Sequence, residues 1–299
     1  MSQSTTAAPD YRTPRQFIDV RSISRNIIER RSWFLGFLLL DALVIRAITT
    51  SSILIEAWNI IWPGITTTIE LTIISFVLAT VIGMFVALLR LSKNILIYNV
   101  ATLYVELFRG LPLLVIILIF AFVLKLAFVN FAAGIPPLDN LVQRAVGVDP
   151  SQIDTTTLST RNISDTAMLI LAFALTYGAF MSETFRAGIE SIGKGQGEAA
   201  RSLGMTYIQM MRYIILPQAV RNVLPAMANN FVLLLKDTSL ASVLAVPEIS
   251  YLARQYSSNR FRYPEGLLCL SFIYANLTII MSLGVYWLEA RLQSDKRED

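Results

Sequence analysis

In the apolar run from about residue 222 to 246, four polar residues stand together: Lys236, Asp237, Thr238 and Ser239. An ammonium beside a carboxylate presents complementary charges to a zwitterion, or the two neutralise each other. Both readings stay open, because intramembrane charges cost a few kcal/mol each and face protein or water. In one, the four residues line a path for a polar solute; in the other, a Lys-Asp pair only fixes a kink. From a helix start near Asn222, a rise of about 1.5 Å per residue puts Lys236 about 21 Å along, in the outer part of a bilayer. Thr238 or Ser239 is placed to cap a second half-helix, whose amide groups favour an anion. Asn229 and Asn230 lie lower on the same segment, where one can line the path while the other bonds a neighbouring helix. Glu183 with Arg186, and Glu106 with Arg109, are spaced i, i+3 and read as structural pairs.

Covalent and metal chemistry find little material. The 299 residues include no histidine and one cysteine, Cys269, so no disulfide forms within the chain and the common zinc ligand sets are missing. The apolar segments hold no carboxylate pair at a spacing suited to catalysis, which leaves an intramembrane enzyme remote. No Gly-x-x-x-x-Gly-Lys-Ser/Thr loop occurs, so the chain does not bind ATP by that device. Energy must come from a partner or a gradient. Despite a net charge of +4, no basic patch carries interleaved aromatics, and a nucleic-acid partner is not expected.

The elements that position these groups are membrane helices. With 55% hydrophobic and 15% charged residues and a mean hydropathy of +0.58, the chain falls well below the charged share of soluble domains, about 25%. Residues 1–32 are polar, contain six arginines and read as a cytoplasmic tail. Trp33 to about Ile48 forms an apolar run interrupted by Asp41 and Arg46. The preceding tail is too long and the run too charged for a cleavable signal, which favours an uncleaved span. Further spans are expected at about 66–90, 112–131, 165–185, 222–246 and 266–288, each near the 20 residues a bilayer core requires. Trp33, Trp58, Trp62 and Trp287 stand at their edges, and Gly110 with Pro112 marks a bend where an interfacial helix enters the third span.

If six segments cross with the N-terminus inside, seventeen basic residues fall inside and seven outside; if the first does not cross, the count is eleven against thirteen. Six crossings with both termini cytoplasmic is therefore the expectation. The outer loop at 132–164, rich in Pro, Asp, Thr and Ser, reads as an insertion.

Between the fourth and fifth spans lies a cytoplasmic stretch from Arg186 to Pro217. Gly193, Gly195 and Gly197 make a flexible approach. Glu198 to Leu203 is a short helical turn with Ala199, Ala200 and Leu203 on one face, and Gly204 lets the chain reverse. A second helix follows from about Thr206 to Ile215, and Pro217 sets a boundary. A helix this short implies docking against something else. An amphipathic connection lying on the membrane surface is the plainer alternative.

At these residues the sequence resembles the permease subunits of type I ABC importers, whose cytoplasmic signature is Glu-Ala-Ala, three residues, Gly, nine residues, Ile, one residue, Leu-Pro. Glu198, Ala199, Ala200, Gly204, Ile214, Leu216 and Pro217 match every fixed position. Glu106-Leu-Phe-Arg-Gly-Leu-Pro, Tyr177 to Ile192, Lys194-Gly-Gln-Gly-Glu-Ala-Ala and Leu234-Leu-Lys-Asp-Thr-Ser-Leu look like the polar amino acid branch. The resemblance covers about 62–290.

It implies an all-α integral membrane protein with a five-span core, to which the N-terminal segment adds a sixth. The expected organisation is a tail at 1–32, an extra span and outer connection at 33–61, and a permease domain at 62–290, followed by a tail at 291–299. Within the permease domain, 132–164 is an outer insertion and 186–217 a coupling loop that docks on an ATP-binding subunit. Also implied are a second permease, the same chain or a similar one, an external solute-binding protein and an amino acid substrate. ATP and Mg would sit on the partner, with no cofactor on this chain, and the location would be a bacterial inner membrane. A gradient-driven secondary transporter is the alternative, but no internal repeat is seen between the halves.

Overall fold

A computed structural model describes residues 20–128 and 164–294. The first 19 residues, nearly all of the 132–164 insertion and the last five residues lie outside the described residues. All regular elements among the described residues are helical. By its contacts the chain divides into Met1–Ser52 and Ile53–Asp299.

The first unit carries α1, Val20–Thr50. Helix thus begins well before the apolar run at Trp33 and takes in four of the tail arginines. Residues 20–35 hold neither proline nor glycine, so nothing stops a helix from propagating back through them.

In the second unit, α2 (Ser52–Ile61) leads past Pro63 into α3 (Gly64–Arg90). A span start was expected near 66 after an outer connection; instead Ser52–Arg90 reads as a single apolar helical stretch of 39 residues. Proline at a first-turn position needs no amide partner, which lets helix continue on both sides. Asn94 then caps α4, Ile95–Gly110, its side chain accepting from the Leu96 amide. At Pro112 the chain bends by 106° into α5, Leu113–Phe128, which widens to a π-helix over Ile119–Leu124.

Helix α6, Asp165–Glu190, is capped by Ser164 and is the hub of the unit. Leu169, Phe173 and Tyr177 pack with Leu71 of α3, Ile116 and Ile117 of α5, and Leu234 from further along the chain. A Cβ on Gly83 of α3 would lie 2.4 Å from that of Met181 and 3.0 Å from the Gly178 carbonyl oxygen of α6. Only a missing side chain permits this approach, the usual means of close helix packing in lipid. The short helices α7 (Lys194–Ser202) and α8 (Tyr207–Met210) follow. After them come α9 (Leu216–Asp237), a 3-10 helix over Thr238–Leu244, α10 (Ile249–Arg260) and α11 (Tyr263–Ser294).

Three stretches among the described residues are long and apolar enough to cross a membrane: Ser52–Arg90, Asp165–Glu190 and Tyr263–Val285. The bent pair α4 and α5 is a fourth if it counts as one span. The expected span at 222–246 is not one continuous α-helix. Its α-helical part ends at Asp237, after Asn222, Asn229, Asn230 and Lys236 have diluted its apolar character.

Candidate functional site

The loop from α6 to α9 is built from local rules. Gly193 opens α7, and Ala200, 1% exposed, turns inward to pack with Ile189, Met210, Ile215 and Ala219. Ala199 and Glu198 face outward, so the face expected to hold Ala199, Ala200 and Leu203 together is split. The reason is the turn that follows. Gly204 adopts φ +75, and the Gly204 and Met205 amides bond back to Arg201 and Ala200 carbonyls, closing the helix and leaving Leu203 outside. Thr206 and Gln209 then form a capping box around α8. Leu203 is 81% and Ile208 75% exposed, an apolar knob on either side of Gly204.

The expected boundary at Pro217 is a change of helix type, Pro217 lying in the first turn of α9, and not a break in the helical path. The chain passes from α8 through a π-helical segment, Met211–Ile215, straight into α9. A widened turn absorbs the missing amide, and the Gln218 side chain donates to the Ile214 carbonyl at 2.9 Å. Ile214 is half-buried against the Ala200 cluster, as a partner of the anchor, while Leu216 is half-buried and Pro217 exposed.

At the other end of α9, Lys236 and Asp237 go separate ways. The Tyr177 hydroxyl of α6 donates to Asp237 Oδ2 at 2.7 Å. Lys236 instead lines a cavity of about 520 Å³ with Ser239, Ser250, Ser271, Tyr274 and Thr278. A mutually neutralising Lys-Asp pair is not formed. Thr238 is fully buried and donates to the Leu235 carbonyl, so it caps nothing. The expected second half-helix is replaced by a 3-10 turn that ends at Ala245 with φ 56. Asn230 reaches α6, its amide nitrogen 3.4 Å from Thr184 Oγ1, and Asn229 is exposed.

Two polar clusters were not seen in full in the sequence. Glu248, fully buried, caps α10 by accepting from the Ser250 and Tyr251 amides, and also accepts from the Tyr274 hydroxyl on the cavity wall. Burial raises its carboxyl pKa, and the hydrogen bonds pull it back. A carboxylate directly before the helix start, at the N-cap position, was the available signal. The second cluster surrounds Glu183, which meets Arg186 at 3.0 Å as expected, Arg90 of α3 at 2.6 Å and Arg109 of α4 at 3.3 Å. Arg109 therefore pairs across to α6 rather than with Glu106 on its own helix, and its guanidinium lies over the Phe180 ring.

Residues 79–294 match the family model described as binding-protein-dependent transport system inner membrane component. The probable glutamine ABC transporter permease protein GlnM of Bacillus subtilis is 33% identical over 81% of this chain and 97% of that protein. The probable amino-acid ABC transporter permease protein PatM of Vibrio harveyi is 30% identical over 80% and 94%. Among solved structures, an amino acid ABC transporter crystallised with histidines aligns with a TM-score of 0.62 at 30% identity, over 79% of this chain and 96% of that one. The MetNI methionine ABC transporter shares the fold, with a TM-score of 0.55 at 16% identity. The matched segment holds the Glu198–Pro217 loop and the Lys236–Ser239 turn alike, and this membrane protein belongs to the family of binding-protein-dependent transport system inner membrane components, alongside the amino-acid ABC transporter permeases.

Proposed function

We propose that this chain is the membrane-spanning subunit of an ATP-driven importer of amino acids, forming the path while a separate subunit binds ATP with Mg and hydrolyses it. The observation that carries this reading is the knob of Leu203 and Ile208 around Gly204, held rigid from inside by Ala200. Two large apolar side chains on a polar loop are covered by a partner in a working complex. By their fit to the signature we read Glu198, Ala199, Gly204 and Pro217 as part of that coupling surface, with Ala200, Ile214 and Leu216 supporting it from within. The names of the relatives support an amino acid as substrate.

The assembly we infer contains a second permease, two ATP-binding subunits and an external solute-binding protein. Its permease domain is 62–290, inside a bacterial inner membrane, with six spans and both termini cytoplasmic. Lys236 in its cavity, with Ser239 and Asn229, faces the path; Asp237, Thr238 and Asn230 hold α9 in place behind it.

Purification through this chain, followed by ATPase assay and identification of the retained proteins, tests the reading. An ATP-binding subunit should co-purify, and the isolated chain should hydrolyse no ATP. Leu203→Asp with Ile208→Asp should insert normally and lose that subunit. Full retention in the double variant, or hydrolysis by the chain alone, overturns the assignment.

A further inference from the structure

A cavity of about 780 Å³ lies where the end of α3, the start of α4 and the turn around Met205 meet. Phe85, Leu88 and Ile97 line its apolar side; Lys93, Arg201 and the Tyr207 ring line the other. Neither Lys93 nor Arg201 meets a carboxylate among the described residues. Outward from the cavity, Ile74, Val77, Val81, Phe85 and Leu88 form one exposed stripe along α3. Their spacing of three and four residues keeps them on a single face, which in a membrane protein meets lipid. An acyl chain lying along that stripe runs directly into the cavity, where two unpaired cations stand at the level of the span ends.

We infer that this cavity binds the phosphate headgroup of an anionic phospholipid, with Lys93 and Arg201 on the phosphate and Phe85, Leu88 and Ile97 against the upper acyl chain. Basic groups at the end of a span are the common means of holding such headgroups. The bound lipid touches α3 and the Arg201–Tyr207 turn at once, so it braces the loop against the bundle. This inference needs only that the spans lie in a bilayer, and it stands whether or not the loop couples to an ATPase.

The test uses the complex purified through this chain in nanodiscs, with phosphatidylglycerol or phosphatidylcholine carrying a diazirine in one acyl chain. After illumination, labelled peptides are mapped by mass spectrometry. Phosphatidylglycerol should label the Phe85–Ile97 peptide at least about five-fold more than phosphatidylcholine does, and Lys93→Gln and Arg201→Gln should each lower that labelling about five-fold. Lys93→Arg, which keeps the charge, should retain it, separating charge from any loss of folding. Equal labelling by the two lipids, or labelling unchanged in Lys93→Gln with Arg201→Gln, overturns the site. Displacement by millimolar glycerol 3-phosphate would assign it to a free phosphate ester instead. Labelling seen only after ATP-binding subunits are stripped, or efficient disulfide pairing of Leu88→Cys between two copies, would give the cavity to a protein and overturn the lipid.

Discussion

Tyr177 of α6 donates its hydroxyl to the Asp237 carboxylate of α9 at 2.7 Å, joining the middle of one helix to the last residue of another. The bond decides which way the polar turn faces. With Asp237 held toward α6, its neighbour Lys236 is left on the side of the cavity, and Thr238 is buried beneath it. A charged acceptor in such surroundings is costly to leave unpaired.

Tyr177→Phe should therefore destabilise the protein by about 1–3 kcal/mol, the cost of leaving the part-buried Asp237 carboxylate without its donor. Thermal unfolding in detergent measures it. Adding Asp237→Leu to Tyr177→Phe should recover part of the loss, because removing both partners leaves no orphan. No recovery would mean that Asp237 has another essential contact.

Three arginines from three helices around Glu183 predict a different response. Glu183→Gln keeps the shape and removes the charge, leaving Arg90, Arg109 and Arg186 to repel one another, with Glu190 still paired to Arg186. Because Arg90 is nearly buried while the others are partly exposed, the expected cost is about 2–3 kcal/mol, from lost charge-assisted hydrogen bonds. Arg90→Lys should not be tolerated as a conservative change, since the ammonium lacks the planar fork. Thermal melts of the two variants within about 0.5 kcal/mol of the parent, the usual size of a neutral surface change, would show the cluster to be incidental.

The apolar stretches around 66–90, 165–185 and 266–288, the bend at Pro112 and the fixed spacing of the loop were legible because they are local. Hydropathy, proline and glycine report on their own neighbourhoods. The Arg90 and Arg109 contacts to Glu183 were not legible, since each joins helices about 70 to 90 residues apart in the chain and i, i+3 spacing suggested the wrong partner for Arg109. Lys236 and Asp237 read as one unit because they are adjacent. Adjacent residues on a helix point about 100° apart, and the distant Tyr177 chose between them. The seven signature positions were found as a pattern, but which of them face outward depended on the closing turn at Gly204.

At Gly204 the requirement is backbone conformation alone. Its φ is +75, and a Cβ placed there would meet nothing within 4 Å. Gly204→Asn should be nearly silent, Gly204→Ala should cost about 1 kcal/mol locally, and Gly204→Val more. The ratio of transported solute to ATP hydrolysed should fall in that order. Equal ratios in all three would place coupling elsewhere.

Orientation is open to a direct measurement. Thr5→Cys and Arg297→Cys should both resist an impermeant maleimide in intact cells, as the excess of basic residues on one side requires. Labelling at Thr5→Cys alone would mean that α1 does not cross and that the core has five spans.

Lys236 faces the cavity while Asp237 is held by Tyr177. A swap of Lys236 and Asp237 would test a pair, but the two do not pair, so their roles separate in single variants. Asp237→Lys would bring a cation against Tyr177 and lower stability. Lys236→Gln disturbs no side-chain bond among the described residues, because its ammonium faces the cavity. If an amino acid presents its carboxylate there, Lys236→Gln removes one charge-assisted hydrogen bond of about 1.5–3 kcal/mol, which lowers transport by about 10- to 100-fold. Thermal stability should stay within about 0.5 kcal/mol of the parent, as expected of an exposed side chain that lines a cavity. Lys236→Arg, which keeps a donor of the same charge, should recover part of the transport with an altered substrate preference. Transport by Lys236→Gln at the parental rate, in protein shown to be inserted, would remove Lys236 from the path and make Asn229, exposed lower on α9, the next residue to change.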